Sequence, residues 1–364
     1  MANEVMGAEE RMIQVAALTS GKNIPSSRFR VRQHIAPLKR AGVEVREFTP
    51  IINKYGNCIG VPRSTFLKCL FSPIYVLWSG FELVARVRGV LGSWKAELTW
   101  LEREIFPGCL TLEPFLKRPY LFDVDDSIWL NPPFGRSAMI RIARDAEVVL
   151  AGNRYLADWF SAYSKNVRIV PTAIDTERFI PRSLSEDKAT RRFVIGWTGK
   201  RNSFPFLYGI ESFLGRFLKD HDAELWIMAN QAPQFQKIPA DRVRYFPWSP
   251  SSEAAFVRKM DVGIMPLFSN DWCRGKCSFK MLQYMATGLP VVVSPVGMNE
   301  EILGMGQIGF PAKNEGDWYT ALDDLYKDRS LGHRLGVAGR EIAVRYFSRD
   351  VVSSRLAEIF HELA

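Results

Sequence analysis

The chain has 364 residues, 47% of them hydrophobic and 24% charged, without a low-complexity run. This excludes a disordered polypeptide, and the length exceeds one core of ordinary size, so two folded domains are expected. The formal charge of +9 points to an anionic partner, but no zinc-finger or RNA-recognition signature speaks for nucleic acid.

Five cysteines, an odd number, suggest no disulfide framework. The polar N-terminal MANEVMGAEER does not read as a signal peptide, so a reducing cytoplasm is expected. The first strand is expected at 12–19. The loop SGKNIPSS then opens a helix to about Arg40, with Val31, Ile35 and Leu38 on one face and a bend at Pro37. A second strand at 43–50 completes a strand–helix–strand unit of a parallel α/β sheet.

Residues 62–92 break the pattern with a greasy stretch flanked by Arg63, Lys68, Arg86 and Arg88. Interrupted by Pro73, Gly80 and Glu82, it falls short of a spanning helix. Two readings stay open, a buried core helix and a helix lying in a membrane surface. Further strands are expected at 95–104, 119–129, 146–153 and 167–174, with helices at 136–144 and 155–163. Residues 171–192 have the Pro, Ser, Thr and charge content of a linker.

A second α/β series follows, with strands at 192–199, 223–229, 243–248, 261–267, 290–294 and, weakly, 306–310. Helices are expected at 204–219, 251–259, 278–287, 316–328 and 330–345, and the last stretch is an amphipathic helix. The domains are expected over 1–178 and 192–345, joined by 179–191 and followed by the helix at 346–364. Such doubly wound pairs bind ligands in the cleft between the carboxyl ends of their strands.

The segment CRGKCSFKMLQYMATGLPVVVS (273–294) reads as a helix N-capped by Ser278, ended at Gly288 and followed by a strand. Arg274, Lys276 and Lys280 crowd its start, where the helix dipole is already positive, and only Asp271 is near in sequence to compensate. A bound phosphate reverses the sign of each of these terms, because free N–H groups, dipole and ammonium groups all favour an anion there. Gln283, three residues beyond Lys280, can face the same ligand. Cys273 and Cys277 lack an accompanying Cys/His pair, so no metal site is expected.

Three other stretches carry candidates. GWTGKRNS ends a strand at Gly199 and presents Lys200 and Arg201 in a glycine-started turn. The loop 20–33 places Ser26, Ser27 and Arg28 near a helix start, with Arg28 and Arg32 on one face and no acid in 20–40 to pair with them. FDVDDSIW puts Asp123, Asp125 and Asp126 at a strand's carboxyl end, where metal binding, an aspartyl nucleophile and an acceptor-site carboxylate compete with turn and capping duty.

Residues 261–303, with FVIGWTGKRNS (193–203), VLAGNRYLADWF (149–160) and VRIVPTAIDTERF (167–179), resemble the retaining GT-B glycosyltransferases of family 4 type. The likeness covers nearly the whole chain in the expected order. It implies two Rossmann-like doubly wound domains facing across a cleft, the last helix packing back on the first. It also implies sugar transfer from a nucleotide-diphosphate sugar to a hydroxyl, with retention and without metal or cofactor.

By the same resemblance, Lys280 and Lys200 meet the donor diphosphate, with Arg201 as substitute. Gly199 and the backbone at Gly275, Lys276, Cys277 and Ser278 support phosphate or sugar. Gln283 and Gly275 stand where the family keeps two glutamates, which leaves the donor's sugar open. Ser26, Ser27 and Arg28 form the first domain's phosphate or acceptor loop, and Asp125 or Asp126 serves the acceptor hydroxyl. The implied partners are a nucleotide sugar and a carbohydrate or lipid-linked acceptor, with cell-envelope synthesis at the inner face of the membrane as the setting. A nucleotide-sugar epimerase and a non-catalytic nucleotide or sugar binder are the alternatives.

Overall fold

The computed structural model describes residues 11–50, 73–182 and 192–364. The N-terminal segment read for a signal peptide, the flank with Arg63 and Lys68, and most of the linker lie outside the described residues. The chain divides into two compact units: Met1–Gly152, Leu156–Val170 and Val352–Ala364 form the first, Asn153–Tyr155 and Pro171–Val351 the second.

The first unit is built on a six-stranded sheet of order β2-β1-β3-β4-β5-β6. Its strands are β1 (Ile13–Leu18), β2 (Val43–Phe48), β3 (Leu98–Glu102), β4 (Tyr120–Val124), β5 (Val148–Ala151) and β6 (Val167–Ile169). Every pair is parallel, with Val15 of β1 opposite both Val45 and Leu98. Continuous apolar runs such as Leu121–Phe122 and Val148–Ala151 are buried on both faces, as helix-covered parallel sheets require.

The second unit repeats the plan in the order β12-β11-β10-β7-β8-β9, again all parallel. Its strands are β7 (Phe193–Gly199), β8 (Ala223–Ala229), β9 (Val243–Pro247), β10 (Val262–Met265), β11 (Val291–Val293) and β12 (Gly309–Pro311). Ile195, Trp197, Leu225, Ile227, Ile264 and Val292 pack with Phe213, Phe217, Trp318 and Leu322 into one core. The expected doubly wound α/β architecture is thus present in both units.

The differences are local. The helix expected up to Arg40 is a π-turn at Ser27–Val31, a 3-10 turn at Arg32–His34 and a short α1 (Ile35–Arg40). Pro37 lacks the N–H that a continuous helix needs there. The stretch at 62–92 contributes a long α2 (Pro73–Ser93), a helix as both open readings expected. No helix among the described residues is long and apolar enough to cross a membrane. A short α3 (Asp271–Arg274) precedes α4 (Phe279–Ala286).

In the first unit, the end of the last helix (Arg349–Leu363) meets the sheet layer. Phe360 lies edge-on to Trp100 at 5.3 Å, and His34 Nδ1 is 2.7 Å from Ser353 Oγ.

Candidate active site

The chain order reverses at β7 in the second unit, because β7 lies between β8 and β10. Ligands of open α/β sheets bind outside the carboxyl ends of the strands at such a point. Gly199 ends β7, and a Cβ there would stand 2.3 Å from the Trp197 ring, so only glycine fits the turn. Lys200 and Arg201 follow on the surface, the Arg201 N–H donating to Asn230 Oδ1 at 2.9 Å.

The cations of 273–280 are arranged differently from a simple crowd at one helix start. Arg274 lies in the last turn of α3, where a cation suits the dipole, and it pairs with Asp271 at 3.7 Å. Lys276 and Lys280 are half-buried. The Lys276 Nζ lies 5.4 Å from the Trp272 ring centre, and the Lys280 Nζ 5.6 Å from that of Trp197. Both ring faces favour the ammonium without neutralising it.

Ser278 does not cap α4 with its side chain. It sits in the left-handed region at φ 49°, and its hydroxyl donates to Asn299 Oδ1 at 2.7 Å. Asn299 in turn donates to the Ser294 carbonyl at 3.0 Å. A non-glycine residue held left-handed by buried bonds is a local cost that marks functional turns.

Residues 192–328 match the family model of the glycosyl transferases group 1. That stretch of the second unit is similar to the glycosyl transferases group 1. The chain's fold is shared by sucrose-phosphate synthase from Thermosynechococcus elongatus, with TM-score 0.69, 15% identity, and 97% of this chain and 99% of that one covered. The structure of Anabaena HepE in complex with UDP and glucose gives TM-score 0.69 and 14% identity, with 96% and 100% covered. A glycosyltransferase from Rickettsia africae gives 0.66 and 11%, with 97% and 98% covered. These likenesses establish the GT-B fold. No curated protein is similar enough in sequence to match.

Within the matched stretch, Gln283 and Gly275 are both buried. The Gln283 Oε1 accepts from the Thr198 hydroxyl at 3.1 Å, while its Nε2 has no hydrogen-bond partner. Its one available group is therefore a donor, where a glutamate would offer only acceptors. Cys277 and Cys273 are buried free thiols. No group of three or more His, Cys, Asp or Glu among the described residues could hold a metal ion.

Asn153 was not singled out from the sequence, yet it organises this loop. Its Nδ2 donates to the carbonyls of Arg274 (3.1 Å) and Lys276 (3.2 Å). Its position just after a strand, inside the landmark at 149–160, was the available signal. Gly297 is the other hidden support. At φ +56°, a Cβ on it would stand 2.4 Å from the Arg274 carbonyl oxygen.

The first unit's candidates are mostly engaged by other side chains of that unit. Ser27 Oγ donates to Glu102 Oε2 at 3.0 Å, Ser26 is buried, and Arg28 stacks 4.2 Å over Phe29. Arg32 does find an acid, since it forks onto Glu47 at 2.6 and 2.9 Å from the neighbouring strand, beyond the reach of a sequence window. Arg103, left-handed at φ 59°, binds Asp125 at 2.5 Å and Asp126 at 2.6 Å. Burial alone would raise the Asp125 carboxyl, and Arg103 overrides this and holds it below the usual range. A carboxylate so held is a poor receiver of a hydroxyl proton. Asp123 is buried against Arg30 and Trp100 and has no open side.

Proposed function

We propose that the chain transfers a sugar from a nucleotide-diphosphate sugar to an acceptor hydroxyl, retaining the anomeric configuration and using neither metal nor cofactor. The observation that carries this reading is the pair of half-buried ammonium groups, Lys276 on Trp272 just before α4 and Lys280 on Trp197 in its first turn. The group 1 likeness and the UDP in the HepE structure support the choice of donor.

The chemical demand is to stabilise the departing diphosphate while the bond from C1 to its bridging oxygen breaks. Lys280 and Lys200 supply fixed positive charge, and the N–H groups at Lys276–Ser278 and Gly199 supply donors; removing one such donor costs on the order of 3 kcal/mol. Arg201 is the reserve cation, and the Gln283 Nε2 offers a bond to a donor hydroxyl.

The acceptor side belongs to the first unit, and its setting is an anionic membrane surface of the envelope-synthesising cell. On α2, Leu77 (75% exposed), Phe81, Val84 (67%) and Leu91 recur at helical spacing on one outer face, followed by exposed Trp94 and Phe115. Arg88 and Lys95 lie exposed along the same face. An apolar stripe with a terminal tryptophan and cations suits an anionic lipid interface.

A binder without turnover is the second reading, favoured by the absent glutamates at 275 and 283. A thermal-shift screen of nucleotides and nucleotide sugars, followed by turnover of the best hit with saccharide acceptors, decides between them. Stabilisation by a nucleoside diphosphate with product formed is expected. Stabilisation without product across the panel supports the binder, and no stabilisation by any nucleotide defeats both.

A further inference from the structure

In the second unit, Val194 of β7 stands opposite Glu224 of β8, and Trp226 stands opposite Arg244 of β9. Side chains alternate along a strand, so these four share one face of the sheet near its amino end. The other face carries Ile195, Leu225 and Ile227 into the core with Phe213 and Phe217. The helix Glu253–Val257, whose Phe256 lies 6.2 Å from the Trp226 ring, is only five residues long. Against the same four residues lies a cavity of about 600 Å³. That volume falls within the roughly 300–1,000 Å³ of small-molecule sites.

Its charge is one-sided. Among the described residues, Arg182, Arg192, Arg244, Arg258 and Lys259 line it against a single acid, Glu224. Glu224 is buried, and its carboxylate accepts from Arg192 at 3.1 Å, from Arg244 at 2.9 Å and from the Trp226 indole at 2.8 Å. Arg182 pairs with Asp261 at 3.4 Å and Arg192 with Asp222 at 3.0 Å. Asp261 also holds Arg329 and Asp222 also holds Arg242, each at 3.2 Å, so neither acid offsets the excess. Residues 183–191 add Glu186 and Asp187 to the sequence, but equally Lys188 and Arg191.

A cleft lined by one sign of charge focuses its field on a counter-ion, and the guanidinium fork matches the oxygens of a phosphate. Trp226 and Val194 add apolar surface to the lining. Trp226 is half-buried and its N–H is spent on Glu224, so what it offers a ligand is ring surface for another flat group. The cavity is at the end of the sheet away from the candidate donor residues. Val194 and Gly199 are about 16 Å apart along β7.

We propose that this cavity is a second anion site, which binds a ring-bearing phosphate monoester, the arginines and Lys259 holding the phosphate and Trp226 the ring. The proposal goes beyond the transferase reading and does not depend on it.

The test is calorimetric titration of the full chain with phenyl phosphate, inorganic phosphate and phenol, with UDP affinity measured on the same samples. Phenyl phosphate is expected to bind more tightly than the other two, and to bind the intact chain and Lys280→Ala alike. Its affinity should fall about fivefold or more in Arg244→Gln and in Lys259→Gln, with UDP affinity unchanged. It should hold in Lys313→Gln, which removes an exposed lysine beyond β12. Lys259 is exposed too, so the melting temperature of its variant should hold even where Arg244→Gln does not fold. No binding of phenyl phosphate, equal affinity for inorganic phosphate or phenol, or equal losses in Lys259→Gln and Lys313→Gln overturns the site. Binding lost in Lys280→Ala and kept in Lys259→Gln assigns the phosphate to the donor residues and overturns it as well. Binding that depends on Lys259 in a chain that ignores UDP supports the site and defeats the donor reading alone.

Discussion

Arg30 and Asp123 form an ion pair at 2.7 Å with side chains only 2% and 1% exposed, deep in the first unit. Arg30 also donates to the Val170 carbonyl at 2.7 Å, and Asp123 accepts from the Trp100 indole at 3.0 Å. The pair therefore ties the π-turn at Ser27–Val31 to β3, β4 and the end of β6, and fixes the loop that carries Ser26 and Ser27.

Removing one member strands the other charge. Asp123→Ala should destabilise by about 3–5 kcal/mol. Burial lifts the Asp123 carboxyl to about 6, against the pull of Arg30. Since the folded chain then holds this proton more tightly than the unfolded one, the residue's contribution to stability falls as pH rises from about 4 to about 6. Denaturant melts of the intact chain and Asp123→Asn across that range check the sign, because the variant should lose that part of the slope.

Lys280→Ala should lower transfer about a hundredfold and weaken UDP binding, since it removes the ammonium over Trp197. Its melting temperature should barely move, because the half-buried side chain packs on one ring face. Calorimetric UDP titration and a turnover assay separate this from a packing defect. Unchanged turnover would remove Lys280 from the site.

Gly297→Ala introduces a Cβ 2.4 Å from the Arg274 carbonyl oxygen in a left-handed residue. The strain should cost about 1–3 kcal/mol and displace the 274–276 loop. Asn153→Ala releases two carbonyls of the same loop and should raise the donor KM while leaving acceptor affinity alone. Steady-state kinetics in both substrates distinguish the loop effect from general loss of fold.

Phe81→Asp and Leu91→Asp place a charge in the exposed stripe of α2. Burying each apolar side chain in a lipid interface contributes about 1.5–3 kcal/mol, so each change should weaken vesicle binding at least tenfold. Co-sedimentation with phosphatidylglycerol vesicles, and its loss in high salt, is the measurement. Equal sedimentation of intact and variant chains would rule the surface out.

The strands were legible because a parallel sheet buried on both faces writes itself as short apolar runs such as VVLA and VVV, bounded by turn residues. That cations gather at 274–280 could be read along the chain, but that Arg274 closes one short helix while Lys276 and Lys280 lie around the start of the next could not. The outcome for Arg32 and Arg103 was not legible, because Glu47 lies on β2 and Asp125 just beyond β4, distant in sequence and brought near only by the sheet. The partition of one acidic run likewise belongs to the fold.

The amino-acid order by itself determined two doubly wound sheets and the stretch where cations gather. Tertiary structure decided which charges remain available for chemistry. It gave Asp123 to Arg30 and Asp125 and Asp126 to Arg103, and set Lys280 on Trp197. The physical reason is range. Periodicity and propensity act within a few residues, whereas the partner of a buried charge is chosen by whichever strand lies beside it.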